Sequence, residues 1–344
     1  MFFVVGNHVL LGDVVAMIGG LVDDQLVNRA PSAGTPWSAI DTPASGLPVT
    51  AGWRGIAYSP TLGRLLAISA TAGAGAYSDD KGASWTALTY PGANTSSRYG
   101  ICWRPDISKF VLVTHDLGGT AQSHSSATGE TGSWTTSGNF AVSARMGNVV
   151  WSDELDRVAM FSGQEINVLS PVNFYWSQVD GLWQEQAAAV TAGTGISSLC
   201  WSQARKEYIA VTGKNAEGNY SRLAWHSVNA TTWDSATIIA SDINWTKVIW
   251  CARLGLYIAL AGASFNASPT YNFCATSPDG ATWTQRTMPA TVSWSDIVDT
   301  GSVLVAIAVD STSGAYSVNG IDWVSSALTV IKDWRVLGVS RSDQ

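Results

Sequence analysis

Short apolar and β-branched runs recur along the chain, each bounded by Gly, Asn, Asp, Ser or Pro, and they recur in pairs. "WRGIAYS" (53–59) precedes "LLAIS" (65–69), "RYGICWR" (98–104) precedes "FVLVT" (110–114), and "MGNVVWS" (146–152) precedes "VAMFS" (158–162). The same pairing follows in "ISSLCWS" (196–202) with "YIAVT" (208–212), "WTKVIWC" (245–251) with "YIALA" (257–261), and "WSDIVDT" (294–300) with "LVAIA" (304–308). Runs of this length and composition are strand signals, and no stretch offers the 3.6-residue periodicity of an amphipathic helix. A third run in each unit ends on a serine and a polar turn, and a fourth starts at a tryptophan. "SDDKGASW" ends at Trp85, "SQVDGLW" at Trp183, "SVNATTW" at Trp233, "SPDGATW" at Trp283 and "SVNGIDW" at Trp323.

With the degenerate forms ending at Trp37 and Trp134, these tryptophans lie 48, 49, 49, 50, 50 and 40 residues apart. Three markers that keep one period define seven repeats of four short strands, the pattern of propeller blades. The expected fold is therefore all-β: a single seven-bladed β-propeller over residues 1–344, with four-stranded blades. The last first-strand motif, "WRVLGVS" (334–340), has no partners after it, and "FFVVGN" (2–7) resembles a second strand with none before it. The economical closure joins the C-terminal strand to the N-terminal blade, which removes free sheet edges. The competing register makes "MFFVV" a first strand in its own right and leaves 334–340 as an extra edge.

Composition narrows the functional classes. Only 13% of residues are charged and the net charge is −7, so no basic patch favours a nucleic-acid partner. The apolar N-terminus lacks a cationic start and is interrupted by Gly6, Asn7, His8 and Asp13, which argues against a signal peptide or membrane insertion. Cys102, Cys200, Cys251 and Cys274 form no CxxC pair and read as free core thiols. The four histidines show no ligand spacing, so neither a metal nor a cofactor is implied. Sequons at Asn94, Asn229, Asn244 and Asn266 are expected by chance in a chain this rich in Ser and Thr.

In "SDDKGASW" the Asp80 carboxylate can accept backbone N–H groups of its own turn, Gly82 supplies the backbone freedom, and Ser78 closes the loop. Trp85 then packs between neighbouring sheets. Asp279, Gly280 and Trp283 repeat the arrangement in "SPDGATW", so these seven residues read as a structural turn.

This turn resembles the Asp-box, or BNR, motif of sialidase-like β-propellers, and through its periodicity the resemblance extends over nearly the whole chain. In that family the motif lies away from the catalytic centre, so its aspartates are not catalytic candidates. The Arg-Ile-Pro motif of the sialidases is absent, and the only early arginines are Arg29 and Arg54. None of the six glutamates forms an obvious acidic pair of the kind glycosidases need; Glu154 and Glu207 fall in hairpin turns, where solvated residues are expected. No catalytic residues are assigned.

Of the 17 tryptophans, sixteen occupy repeat positions, which leaves Trp225 as a stacking candidate. The connections from second to third strand are the most individual parts of the repeats, and individual loops are where propellers carry function. Their candidate ligand-binding residues are His115, Asp116, Lys214, Asn219, Tyr220 and Tyr271, a set suited to neutral sugars or a protein partner. The low charge and small-residue turns look like propellers of bacteriophage tail fibres and other virion proteins. The resemblance implies a non-enzymatic structural or attachment component, assembled in the host cytoplasm and exposed on the virion. Its partners would be other virion or surface proteins, or host cell-surface polysaccharide. A stand-alone lectin and a carbohydrate-active enzyme are the alternatives.

Overall fold

The computed structural model describes residues 7–9, 15–20, 27–29, 38–40, 53–69, 73–80, 84–91, 100–115, 120–141, 147–161, 174–179, 182–186, 195–213, 220–238, 242–262 and 269–339. The first strands are β1 (Asn7–Val9), β2 (Val15–Gly20), and the two-stranded hairpin sheet β3 (Val27–Arg29) and β4 (Ser38–Ile40). Five four-stranded antiparallel sheets follow in chain order. They are β5 (Trp53–Ser59), β6 (Arg64–Ser69), β7 (Ala74–Ser78) and β8 (Thr86–Thr89); β9 (Gly100–Arg104), β10 (Lys109–His115), β11 (Thr120–Ser126) and β12 (Thr135–Ala141); and β13 (Val150–Ser152), β14 (Arg157–Phe161), β15 (Phe174–Val179) and β16 (Leu182–Gln186). Next come β17 (Gly195–Ser202), β18 (Glu207–Gly213), β19 (Leu223–Ser227) and β20 (Asp234–Thr237), then β21 (Trp245–Cys251), β22 (Leu256–Ala261), β23 (Tyr271–Ser277) and β24 (Thr284–Val292). The chain ends in β25 (Trp294–Asp299), β26 (Leu304–Ser317) and β27 (Val324–Val339).

The blades number six, where the repeat count predicts seven. β26 and β27 run to 14 and 16 residues, through positions where the other repeats break. Together with β2 and β1 they form one five-stranded sheet in the order β1-β2-β27-β26-β25. The reason lies in the 40-residue spacing from Trp283 to Trp323, about ten short of the others. The missing residues belong to the connection between second and third strands. Without a loop the chain crosses as one strand, taking up the change of direction in register shifts between Val309 and Ser313. The last repeat and strands β1 and β2 thus share a sheet, while β3 and β4 pair with each other as a two-stranded sheet. The N-terminal strand on β27 is also not "FFVVGN": Val15–Gly20 pairs with it, from Val15 opposite Val339 to Gly20 opposite Asp333. Residues 1–6 lie outside the described set.

First strands pack on first strands around the ring, β5 on β9, β9 on β13, β13 on β17, β17 on β21 and β21 on β25, with β27 lying against β5. They form the inner wall. Burial falls off radially, as this order requires: β6, β18 and β25 are buried at every position, whereas three of the four residues of β8 are exposed. A second strand has neighbouring sheets on both faces, which explains why these strands are continuous apolar runs without alternation. Five inner pairings carry a register shift at the same place, setting Arg54, Ser197, Thr246, Ser295 and Arg335 out of the ladder. Ser197 Oγ and Ser295 Oγ donate to Val211 O (3.1 Å) and Ile307 O (3.2 Å) beside the bulge.

Between sheets the tryptophans do the packing expected of them. Trp233 stacks on Phe174 of the preceding sheet, with ring centroids 3.7 Å apart and planes inclined by 10°. All four cysteines are free and buried, and burial raises the Cys102, Cys251 and Cys274 thiols to about 12.

Candidate functional site

The antiparallel blades sort their connections onto two ends. At one end, the turn end, lie the hairpins from first to second and from third to fourth strand. At the other, the loop end, lie the connections from second to third strand and from each blade to the next.

At the turn end one geometry repeats. Asp279 Oδ1 accepts the N–H groups of Ala281 (2.9 Å) and Thr282 (2.6 Å) and the hydroxyl of Ser277 (3.0 Å), while Gly280 N donates to Ser277 Oγ (2.8 Å). Gly280 has φ +72°, and a Cβ there would meet Ile209 Cδ1 at 2.6 Å, so glycine is required twice over. The Trp283 indole donates to Gly280 O (2.9 Å). Asn229 Oδ1 takes the N–H groups of Thr231 and Thr232, both at 2.9 Å, and Asn319 Oδ1 those of Ile321 and Asp322 at the same distance. An amide oxygen replaces the carboxylate without changing the turn. The position thus needs an acceptor and not a charge. Backbone N–H donation, from Thr282 first, holds Asp279 down at about 2. Asp80 accepts Ser84 N and Ser78 Oγ, both at 2.8 Å; burial works against its charged form, but these bonds outweigh it and lower the pKa. Trp85 is buried; Gly82 lies outside the described residues.

A second repeated device went unrecognised in the sequence. An arginine near the hairpin between first and second strands reaches a backbone carbonyl in the polar turn of the following sheet. Arg64 donates to Thr128 O (2.6 Å), Arg104 to Gln178 O (3.0 Å), Arg253 to Val318 O (2.6 Å), and Arg157 to Asn229 O. The signal was available: Arg104, Arg157, Arg205 and Arg253 recur at nearly the repeat spacing. In the remaining four-stranded sheet Arg205 instead binds Glu207 (2.6 Å), which accepts the Tyr257 hydroxyl of the following sheet (2.9 Å). Glu207 is 6% exposed, so the expectation of a solvated turn residue holds for Glu154, bound to Lys206 at the surface, but not for Glu207.

Other buried carboxylates serve the same end. Asp299 accepts Arg253 Nε (3.0 Å), the Cys251 thiol (3.1 Å) and Gly301 N (3.1 Å). Asp296 accepts Lys247 Nζ and Ile297 N, both at 2.9 Å. The Lys247 bond joins neighbouring inner strands, as do Asn148 to Leu199 and Ser198 to Val248. Among the described residues no group of His, Cys, Asp and Glu could hold a metal ion.

At the loop end the structure brings together two of the sequence candidates. Tyr220 follows the connection after β18, and Tyr271 opens β23 of the next sheet. They are near enough for the Tyr220 phenol to act on the ionisation of Tyr271, whose pKa is raised, chiefly by burial. Asn244, in the link between these blades, lies beside Tyr271. Its N–H donates to Tyr271 Oη (3.3 Å), its Nδ2 to Gly262 O (2.7 Å), and its carbonyl accepts Gly262 N (2.9 Å). The Trp294 indole fixes the Tyr271 carbonyl (3.1 Å). Tyr271 lies 5.4 Å from Phe273, which meets Trp245 edge-on at 6.2 Å, so an aromatic ladder runs from the inner wall out to half-buried tyrosines. Arg222 and Asp242, next in register to the Ser221–Ile243 bridge, are both exposed.

The other candidates are distributed differently. Trp225 is 6% exposed and packs with Phe161, Phe174 and Trp233, so its ring has no face to offer a sugar. His115 ends β10, while Asp116, Lys214 and Asn219 lie outside the described residues. The Asn244 sequon is buried.

No protein-family model matches the chain, and no curated protein sequence matches it. Solved structures do match. The periplasmic gluconolactonase PpgL of Pseudomonas aeruginosa superposes with a TM-score of 0.64 at 10% identity, over 94% of this chain and 99% of that one. Catalytically inactive virginiamycin B lyase from Staphylococcus aureus gives 0.61 at 9% identity, over 81% and 85%. YCF48 bound to D1 peptide gives 0.59 at 14% identity, over 89% and 87%. The fold is that of a β-propeller. At these identities the propeller likeness speaks for architecture alone.

Proposed function

We propose that this propeller is a non-enzymatic binding protein, a structural and attachment component of a virion, that engages surface polysaccharide or another virion subunit through its loop end. The observation that carries the reading is the junction between two blades at this end, where Asn244 N donates to Tyr271 Oη and Tyr220 lies near enough to act on the ionisation of Tyr271. Half-buried tyrosines beside amide groups suit sugar rings, which need an apolar face and a few directed hydrogen bonds. The use made of the carboxylates supports a binding role. Glu207, Asp296 and Asp299 are each tied into bonds that join neighbouring inner strands or neighbouring sheets. A general acid or nucleophile needs a carboxylate that faces its substrate. The Asp-box likeness of the turns and the virion-like composition favour a propeller carried on a particle surface. The lyase and lactonase activities of structural neighbours are not carried over, and the peptide on YCF48 makes a protein partner the natural outcome if no glycan binds.

The test is retention of the purified chain on a panel of immobilised bacterial surface polysaccharides, with reducing ends followed in parallel. Retention without release supports the reading. Release of reducing ends refutes the non-enzymatic part, and absence of retention refutes the glycan part.

A further inference from the structure

We infer that Asn319 is the chain's site of spontaneous deamidation, and that the polar turn around it holds the amide shut against that reaction. Asn319–Gly320 is the single Asn-Gly pair in the sequence. In such a pair the glycine nitrogen attacks Asn Cγ readily, because no Cβ shields it. The new N–Cγ bond closes a succinimide ring, ammonia leaves with the proton of the glycine nitrogen, and water then opens the ring. Opening at Cγ gives an aspartyl chain. Opening at the main-chain carbonyl gives an isoaspartyl chain, whose backbone is longer by a methylene.

The attack needs a glycine nitrogen stripped of its proton and a side chain able to swing onto it. The folded turn opposes both. Gly320 N donates to Ser317 Oγ (2.9 Å), and a hydroxyl is too weak a base to take that proton. Asn319 Oδ1 accepts Ile321 N and Asp322 N, both at 2.9 Å, and Nδ2 donates to Asp322 Oδ2 (2.9 Å). Rotating the amide onto Gly320 breaks all three bonds. Water is close by, since Val318, Ile321 and Asp322 are exposed around the pair. Opening of the turn therefore limits the reaction, and solvent access does not. Either product sets a second carboxylate beside Asp322, which loses its donor, so the modification loosens the turn in which it occurs. The matching turns are less exposed to this chemistry. Asn229 is followed by Ala230, whose Cβ shields the nitrogen, and Asp279 precedes Gly280 but offers an ionised carboxylate, a poor electrophile.

The experiment incubates the intact chain in mildly alkaline buffer, folded and in unfolding guanidinium chloride, and follows deamidation at each asparagine by peptide mapping and mass spectrometry. In the denaturant, conversion is expected first at Asn319. In the folded chain Asn319 is expected to convert at least about tenfold more slowly, the factor that one or two hydrogen bonds account for. Ser317→Ala keeps the Asn-Gly pair but removes the acceptor of Gly320 N, and should speed conversion in the folded chain by about two- to tenfold. Asp322→Ala releases Nδ2 alone and should speed it by a smaller factor. It decides the matter if fluorescence and melting curves show that Ser317→Ala does not fold. Equal rates in the folded chain and in denaturant overturn the shielding. Conversion spread evenly over the asparagines in denaturant overturns the site, and folded variants no faster than the native chain overturn the assignment of the shielding to these bonds.

Discussion

His124 places a weak point in the second four-stranded sheet, β9–β12, and acid should find it. The imidazole has no exposed surface and bridges two threonines, with Nε2 at 3.0 Å from Thr114 Oγ1 and Nδ1 at 3.0 Å from Thr136 Oγ1. These contacts tie β10, β11 and β12 together. Burial favours the neutral ring and lowers its pKa from 6.5 to about 4. An unfolded chain therefore takes up a proton near pH 6.5 while the folded chain resists until about pH 4. Stability is unaffected above the unfolded value, falls as pH drops through that window and levels off below it. At about 1.36 kcal/mol per pKa unit the loss is about 2 kcal/mol at pH 5, approaching about 3 kcal/mol at pH 4. Against the roughly 5–15 kcal/mol that stabilise typical domains, this is a large share. Urea unfolding of the native chain and a His124→Gln variant, followed by tryptophan fluorescence between pH 7 and pH 4, would measure it. Gln keeps hydrogen-bonding groups for both threonines and does not titrate. The native chain should lose stability across the window and the variant should not. Parallel pH curves for the two proteins would refute the assignment to His124. Asp279 titrates lower, between 3.8 and about 2, so its loss on acidification falls in a separate range.

Three further outcomes follow from the packing. Asp279→Asn should cost under about 0.5 kcal/mol, because Asn229 and Asn319 make the same turn, whereas Asp279→Ala should cost about 1–2 kcal/mol by leaving Ala281 N and Thr282 N without their acceptor; urea midpoints distinguish them. Arg253→Ala removes the bond to Val318 O and strips a charge partner from the buried Asp299, so a loss of about 2–4 kcal/mol is expected in the same assay, with only partial recovery by Lys. Gly100→Ala would bring a Cβ to 2.4 Å from Val149 Cγ2 and 2.9 Å from Gly147 O, forcing the inner wall apart at a cost of about 1–3 kcal/mol, seen as a lower melting temperature.

The strand content, the polar turns and the tryptophan packing were legible because they repeat, and each repeat places the same side chains in the same environment. The blade number was misread for a physical reason that the sequence also contains. Counting tryptophans treats each turn as a blade, but the shortened interval before Trp323 leaves no loop to separate β26 into two strands. Sheets are defined by where the ladder breaks, and here it bends through register shifts instead. The arginine clamps were invisible to a strand-by-strand reading because each acts on a carbonyl of the following blade: Arg64 and Thr128 are 64 residues apart. Trp225 was misjudged for the opposite reason. As the one tryptophan without a repeat position it looked available, yet it fills space between Phe161 and Trp233 that its equivalents fill from other positions. Tyr220 and Tyr271 were read as loop residues, but Tyr271 opens β23, and its bond to Asn244 depends on blade order in space and on a residue that carried no motif.

The most direct test of the central claim, that binding takes place at the loop end, compares two variants on a polysaccharide column that retains the native chain. One is the double substitution Tyr220→Ala with Tyr271→Ala; the other is Asp322→Ala at the turn end, an exposed residue whose side chain accepts Asn319 Nδ2 (2.9 Å). Loss of retention for the first with native retention for the second is the predicted result, given matching fluorescence and melting curves. Retention of the tyrosine variant, or loss in the Asp322 variant alone, would place binding elsewhere on the propeller and contradict the account.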